Sequence, residues 1–512
     1  MCNLNYIYPY RTKFTPLMKK VGFAWLQEKL NIQEFQLTHE SYIGTVDKSE
    51  ISSTGTVIQT FKSKYDVKDE TTMSHLEFAL KYDDINLAFI KEVFTSIEHQ
   101  KIEKYIQSRP NRKYPRIIGY LYEFLGGSSI DVNVVTTNYL DVLDSSKYIT
   151  GDVKKISKWK VNDNLLGTHE FCPVIRRTTE LNKYLDWNIE KAIENLEQEY
   201  PPELFKRASY YLYKKETKSS SEIENDDPPP DRMEKFIALL EEAGQKSFEE
   251  TLSEHELVRI QNTIVEPRYA DKGYRNFQNY VGQTMRDYSQ KIHYVCPPPQ
   301  FVKSLMNGIV KLDKKTRSIE SIIKTAIVSF GFVYIHPFED GNGRIHRFLI
   351  HDILVREGII PKGTILPVSA QILANIYDYE KILELVSKLI ERKVKYELKD
   401  SGKLTVINPL EIEKLYRFPD LTSHTIFLAR VIQTTVKEDV PKELLFLQCY
   451  DELKAKIQMI VDMPDNRMDR MIIFLHQNRG KLANRKRKLY PELSDTEIRQ
   501  MEEVYAEVFS RY

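Results

Sequence analysis

The sequence predicts a mainly α-helical protein with a short β-hairpin, and three observations point that way. In the tail, apolar residues recur with helical spacing over Leu421–Ile432, Leu444–Lys454 and Met468–His476. In the middle, Ile345, Phe348, Leu349 and Ile353 form one apolar stripe just after a glycine-rich turn. The longest apolar run, Ala326–Ile335, is too short to span a bilayer and reads as a buried helix.

In chain order, residues 1–200 carry amphipathic pieces at His75–Leu80 and Arg116–Leu125, with loop signals at Gly126–Ser129 and Asp144–Ser146. They read as a helix-rich extension. Arg176 and Arg177 are assigned no catalytic role, because paired arginines usually lie on a solvated face. The stretch N-D-D-P-P-P-D-R at 225–232 looks like a linker, and K-D-S-G-K-L near 400 looks like a boundary. Between them, Phe277–Val281 and Ile292–Val295 flank a polar stretch and predict a hairpin, which Pro297–Pro299 terminate. Residues 201–400 then form a central domain and 401–512 a C-terminal helical region, in which Ser494-Asp-Thr-Glu497 predicts the capping box of the last helix.

Composition bounds the class. With 74 Lys and Arg against 73 Asp and Glu, the net charge of +1 gives no case for bulk attraction to nucleic acid. The basic run Lys481–Lys488 lacks interleaved aromatics and reads as a solvated or partner-facing surface. The four cysteines are scattered without CxxC or zinc spacing, the N-terminus lacks an apolar signal core, and no run reaches membrane-spanning length. A reducing cytoplasm is the expected location.

Residues 336–347 read H-P-F-E-D-G-N-G-R-I-H-R and carry the chemistry. Pro337 disfavours the α region for His336, so the preceding helix should stop near Tyr334 and Ile335. Gly341, Asn342 and Gly343 then sit at the mouth of the next helix, where backbone N–H groups and the macrodipole favour an anion. Asn342 can add a side-chain donor. Arg344 and Arg347, three apart, share a helical face and suit bidentate phosphate binding. Asp340 offers a hard carboxylate for Mg²⁺. His336 suits proton abstraction from a hydroxyl near neutral pH. The inventory points to phosphoryl or nucleotidyl transfer.

This segment resembles the Fic family signature HPFx(D/E)GNGRxxR at every specified position. The resemblance implies transfer of AMP from ATP to a hydroxyl of a target protein. His336 would be the base and Phe338 the core anchor, with Asp340 the Mg²⁺ ligand. Gly341, Asn342 and Gly343 would form the anion hole, Arg344 would contact the β-phosphate region and Arg347 the γ-phosphate. Glycine at 343, where the related Doc kinases carry lysine, favours adenylyl transfer. It also implies that 201–400 is the Fic catalytic domain and that the hairpin over 277–295 is a flap receiving the target segment, the chain itself included, by strand addition. Residues Ser220-Ser-Glu-Ile-Glu224-Asn225 are similar to the family's inhibitory pattern (S/T)xxxE(G/N), upstream of the catalytic motif as in class II members. Glu224 would compete with the γ-phosphate for Arg347. Three alternatives stay open at this stage: removal of AMP at the same site, a nucleotide donor other than ATP, and a non-enzymatic binding module. Tyr377 and Tyr379, behind the site, are read as packing residues.

Overall fold

Ser321–Ile335 is apolar on all sides, so it is stable only when enclosed, and of its residues only Ser321 and Val333 escape burial. The computed structural model describes residues 18–512 apart from 33–34, 54, 133–134, 287–289 and 400–401. In it this helix packs along Asn342–Arg356, the helix that follows the signature turn. The central elements are α1 (Pro202–Ile223), α2 (Pro230–Glu241), α3 (Glu254–Ile264), β1 (Tyr280–Thr284), β2 (Gln290–Val295), α4 (Pro299–Lys315), α5 (Ser321–Ile335), α6 (Asn342–Arg356), α7 (Val368–Ala374) and α8 (Ile376–Glu391). The fold is mainly α, as the helical periodicity predicts.

The hairpin forms three residues later than its β-prone stretch suggests. Tyr280 pairs with Val295 and Thr284 with Gln290, antiparallel, with an irregularity between Val281 and Gly282. Residues 275–279 are held elsewhere: the Arg275 N–H donates to the Pro337 carbonyl, and the Asn279 side chain donates to the carbonyls of Phe338 and Glu339. The first strand therefore begins only where these bonds to the signature loop end. Pro299 opens α4 at its first turn, where a missing N–H costs nothing.

The first 200 residues are more mixed than the helix-rich reading. Thr72–Tyr82 and Lys113–Phe124 are the expected helices. Between and around them stand a four-stranded sheet, ordered Lys19–Val21, His39–Gly44, Val57–Lys62, Lys48–Ile51, and a three-stranded one built from Leu140–Asp141, Val161–Asp163 and Lys154–Ile156. These strands are short and largely polar, and Lys48–Ile51 is exposed throughout, so no apolar alternation announces them. The N-terminal stretch that lacks an apolar signal core lies outside the described residues.

The stretch at 225–232 is not a spacer. It is a tight connection between α1 and α2, which pack on each other, and Asp226 within it reaches α6. Near 400 the chain forms a small hairpin, Tyr396–Leu398 against Leu404–Val406. One apolar core runs from Phe23 to Leu447, and a second joins Cys449 to Val508 within the last four helices. Ser494 and Glu497 make the expected capping box. Part of the basic run is paired, Lys481 with Glu502 and Arg487 with Asp495. Cys172, Cys296 and Cys449 are buried and free. Among the described residues no helix is long and apolar enough to cross a membrane, and no group of three or more His, Cys, Asp or Glu could hold a metal.

Buried polar groups need partners, and one such set fixes α1 in place. Glu216, on α1, accepts the Ser369 N–H at 2.8 Å and the Ser369 hydroxyl, and lies 2.9 Å from His351 Nε2 on α6. All three side chains are buried. The carboxylate thus clamps α1 to α6 and to the start of α7. Removing it strands the buried Ser369 N–H and hydroxyl, so Glu216→Ala should destabilise the protein by about 2 kcal/mol. Denaturation midpoints check this, and an unchanged midpoint would exclude the clamp.

Candidate active site

The site is built where α5 ends and α6 begins. His336 ends α5 in the left-handed region, φ 52° and ψ 59°. Proline at 337 removes the right-handed continuation, and the helix stops there as the sequence predicts. His336 is held by bonds on both sides. Its N–H donates to the Phe332 carbonyl at 3.0 Å, and its carbonyl accepts from Arg275 Nε at 2.7 Å. Nδ1 lies 3.1 Å from the Val333 carbonyl. A carbonyl can only accept, so Nδ1 carries the proton, and in the neutral ring the lone pair is on Nε2. Burial lowers the His336 pKa to about 4, and the Arg275 charge adds to that against the Val333 bond. The ring is therefore neutral, and a proton acceptor, at physiological pH.

The loop to α6 is tied internally. Phe338 is fully buried beside Tyr274. The Asn342 side chain accepts the Phe338 N–H at 3.1 Å and donates to the Phe338 carbonyl at 3.0 Å. Asn342 thus closes the loop with its side chain, spending one of its two amide N–H donors on the Phe338 carbonyl, and its backbone stands at the helix start. Gly341 takes φ 88°, and a Cβ there would come within 2.8 Å of Val265, so only glycine fits. Asp340 accepts the Gly341 N–H at 2.6 Å and pairs with Arg344 Nη2 at 3.1 Å, keeping its side chain 44% exposed.

Arg344 and Arg347 project from α6 into the end of α1. Arg347, 1% exposed, donates from Nε to the Ser220 hydroxyl and from Nη2 to the Ser220 carbonyl, both at 2.7 Å. Nη2 also meets Glu224 Oε1 at 2.8 Å. Arg344 meets Asp226 at 2.5 Å and the Ile264 carbonyl at 3.1 Å, and Arg232 holds the other Asp226 oxygen at 2.8 Å. Two buried donors, Arg347 Nη1 and Arg344 Nε, have no partner among the described residues. Gly343 lies directly under Glu224: a Cβ there would sit 2.0 Å from Oε1.

The end of α1 explains how Glu224 and Asp226 arrive together. Glu224 is the last, capping residue, and Asn225 turns left-handed at φ 54°. The Asn225 N–H donates to Glu222 and the Asp226 N–H to Ser221, the bond pattern of a Schellman cap. That turn needs glycine or asparagine at 225, so Asn225 contributes conformation here. It sends the chain back over α6, with Glu224 on Arg347 and Asp226 on Arg344.

All ten residues singled out from sequence, Ser220, Glu224, Asn225, His336, Asp340, Gly341, Asn342, Gly343, Arg344 and Arg347, fall into this one region. Tyr379 is buried, stacked beside His346, whereas Tyr377 is exposed. Two contributors escaped the sequence reading. Asp226 lies in the stretch that reads as a linker, although its place two residues after Glu224 is a usable signal. Arg275 lies 61 residues before His336 and belongs to no pattern.

Residues 251–354 match the Fic/DOC family model. Over 168 residues the chain is 29% identical to a probable protein adenylyltransferase of Aquifex aeolicus, covering 29% of this chain and 50% of that protein. It is 33% identical over 105 residues to a protein adenylyltransferase of Caenorhabditis elegans, covering 19% of this chain and 20% of that one. The chain therefore spans half or less of the length of these relatives. A crystal structure of a Fic family protein from Desulfovibrio desulfuricans superposes with a TM-score of 0.39 at 19% identity, covering 59% of this chain and 88% of that one. The HPFEDGNGRIHR loop, closed by Asn342 and bent at Gly341, lies inside the segment that matches the Fic/DOC family model.

Proposed function

We propose that this protein transfers AMP from Mg·ATP to a Ser, Thr or Tyr hydroxyl of a target protein, itself included, and that its resting state is off. One observation carries the reading: two buried arginines at the start of a helix, beside a neutral histidine, have their forks filled by carboxylates from a single turn. Arginine forks, helix N-terminal amides and the side-chain-free Gly343 together suit a polyphosphate. The unpartnered Arg347 Nη1 and Arg344 Nε are donors of the kind phosphate oxygens satisfy.

In the reaction His336 Nε2 takes the proton of the target hydroxyl. The freed oxygen bonds to the α-phosphorus, the bond from that phosphorus to the bridging oxygen breaks, and pyrophosphate leaves. Proton removal of this kind contributes of the order of 10²–10⁴-fold. Asp340, half-exposed at the helix mouth with no cage of further carboxylates among the described residues, suits an Mg²⁺ that takes its remaining ligands from phosphate and water. Bound there, the ion would neutralise charge on the pyrophosphate. The target segment would add to the flap over 277–295 by main-chain bonding.

Glu224 and Ser220 occupy the donors that the terminal phosphate would need on Arg347, and Asp226 holds Arg344. Glu224→Gly should therefore raise auto-adenylylation and ATP consumption by about tenfold or more, since a hydrogen bond between charged groups is worth about 1.5–3 kcal/mol. His336→Ala in that background should abolish transfer. Labelled ATP and mass spectrometry read both, and a Glu224→Gly protein as quiet as the parent would remove the inhibitory assignment.

The pH profile supplies a separate check. With its pKa lowered to about 4, His336 keeps its base form well below the ordinary histidine range. The acid limb of kcat/KM for Glu224→Gly should fall well under pH 6.5. A limb centred at 6.5 would mean that the base is a solvated imidazole and not this one.

A further inference from the structure

Arg275 is 4% exposed, and no carboxylate pairs with it among the described residues. Its guanidinium is instead distributed over main-chain carbonyls. Nε donates to His336 at 2.7 Å, Nη1 to Phe277 at 2.9 Å, and Nη2 to Pro297 at 2.7 Å and Ile335 at 3.3 Å. Its own N–H donates to the Pro337 carbonyl at 2.8 Å. Phe277 precedes β1 and Pro297 follows β2, so the first is one root of the flap and the second the other. Ile335 and His336 are the end of α5 and the base itself. One side chain therefore grips both roots of the hairpin and the residue that removes the proton.

A buried guanidinium with only carbonyl partners gives up hydration without gaining a counter-charge, and burial lowers its pKa accordingly. A residue needed only to fill space would not carry that cost. The planar fork, with donors at fixed angles, is the group that can hold four carbonyls in fixed relation. The left-handed backbone of His336 also needs outside support, and the Arg275 bond to its carbonyl supplies some.

Resting on the adenylyl-transfer reading above, we infer that Arg275 is a positioning residue that sets the distance between the flap-bound target hydroxyl and His336. Misplacement of reacting groups by about 1 Å can cost of the order of 10²-fold in rate while leaving a separate ligand site intact. Arg275 touches neither Arg344 nor Arg347, so nucleotide binding and transfer should separate.

The test uses the full chain carrying Glu224→Gly, with Arg275→Gln and Arg275→Lys added singly. Mg·ATP affinity should stay within about twofold of the parent. Transfer should fall of the order of 10²-fold for Arg275→Gln and less for Arg275→Lys, whose single ammonium reaches fewer carbonyls. In the same proteins without nucleotide, hydrogen exchange should rise together in 335–340 and in strands 280–284 and 290–295, while Ile345–Val355 stays protected. If Arg275→Gln does not fold, Arg275→Lys alone is read. Parallel loss of ATP binding and transfer, unchanged transfer, or exchange rising in the flap alone would each overturn the inference. A Glu224→Gly parent without any transfer would sink the adenylyl-transfer reading instead, and the joint exchange of flap and loop would then decide whether Arg275 couples them.

Discussion

A guanidinium taken out of water must be given an anion or a full set of acceptors, and Arg347 is the point at which this protein meets that demand. An isolated buried charge costs several kcal/mol. Arg347 is almost wholly enclosed between α1, α6 and the helices beneath. Its acceptors come from α1, through the hydroxyl and carbonyl of Ser220 and the carboxylate of Glu224. Where α1 lies, how it ends and which residues stand on its last turn follow from that requirement. The Glu216 clamp serves the same end from about one turn before Ser220, since a helix docked loosely could not present its C-terminus to a fixed fork.

The spacing of the Ser220–Asn225 segment also has a local physical origin. Ser220 and Glu224 are four apart, one turn, so they face the same way and can share one guanidinium. Asn225 then has to reverse the chain, and the Schellman cap does so with two backbone bonds that also satisfy carbonyls left open at the helix end. Reversal is what allows Asp226 to reach Arg344. A residue poorly tolerant of φ above zero at 225 would disturb the aim of both carboxylates at once.

Much of this was legible in the sequence, and the unread parts share a cause. The stop of α5, the stripe of α6, the C-terminal helices and the Ser494 capping box follow from periodicity and short-range steric rules. The ten residues proposed for the site were legible because they fall in two short segments with specified spacing. What was not legible depends on contacts distant in sequence. The His336 backbone goes left-handed because Arg275 and Phe332 hold it, β1 starts late because Asn279 is bonded to the signature loop, and Asp226 joins the site only through a folded turn. The small N-terminal sheets were missed for another reason. Their strands are too short and too polar for alternation to register, and their stability comes from packing against helices such as Gly22–Lys29 and Thr72–Tyr82.

On the proposed reading, charge balance explains why an off state would be both firm and reversible. In the resting arrangement Glu224, Asp226 and Asp340 face Arg232, Arg344 and Arg347, three carboxylates against three guanidiniums. Two unit charges 4 Å apart interact by about 4 kcal/mol at an effective dielectric constant of 20. A phosphate entering while Glu224 stays in place would thus meet repulsion of that order as well as an occupied fork. Once the end of α1 withdraws, the two arginines on α6 are left short of anions, and phosphate oxygens are the acceptors they need. On the proposed reading, the same buried cations that hold the turn at the end of α1 would also make its displacement by nucleotide favourable. Only the difference between the two anions' affinities has to be overcome, and not the whole cost of opening the site.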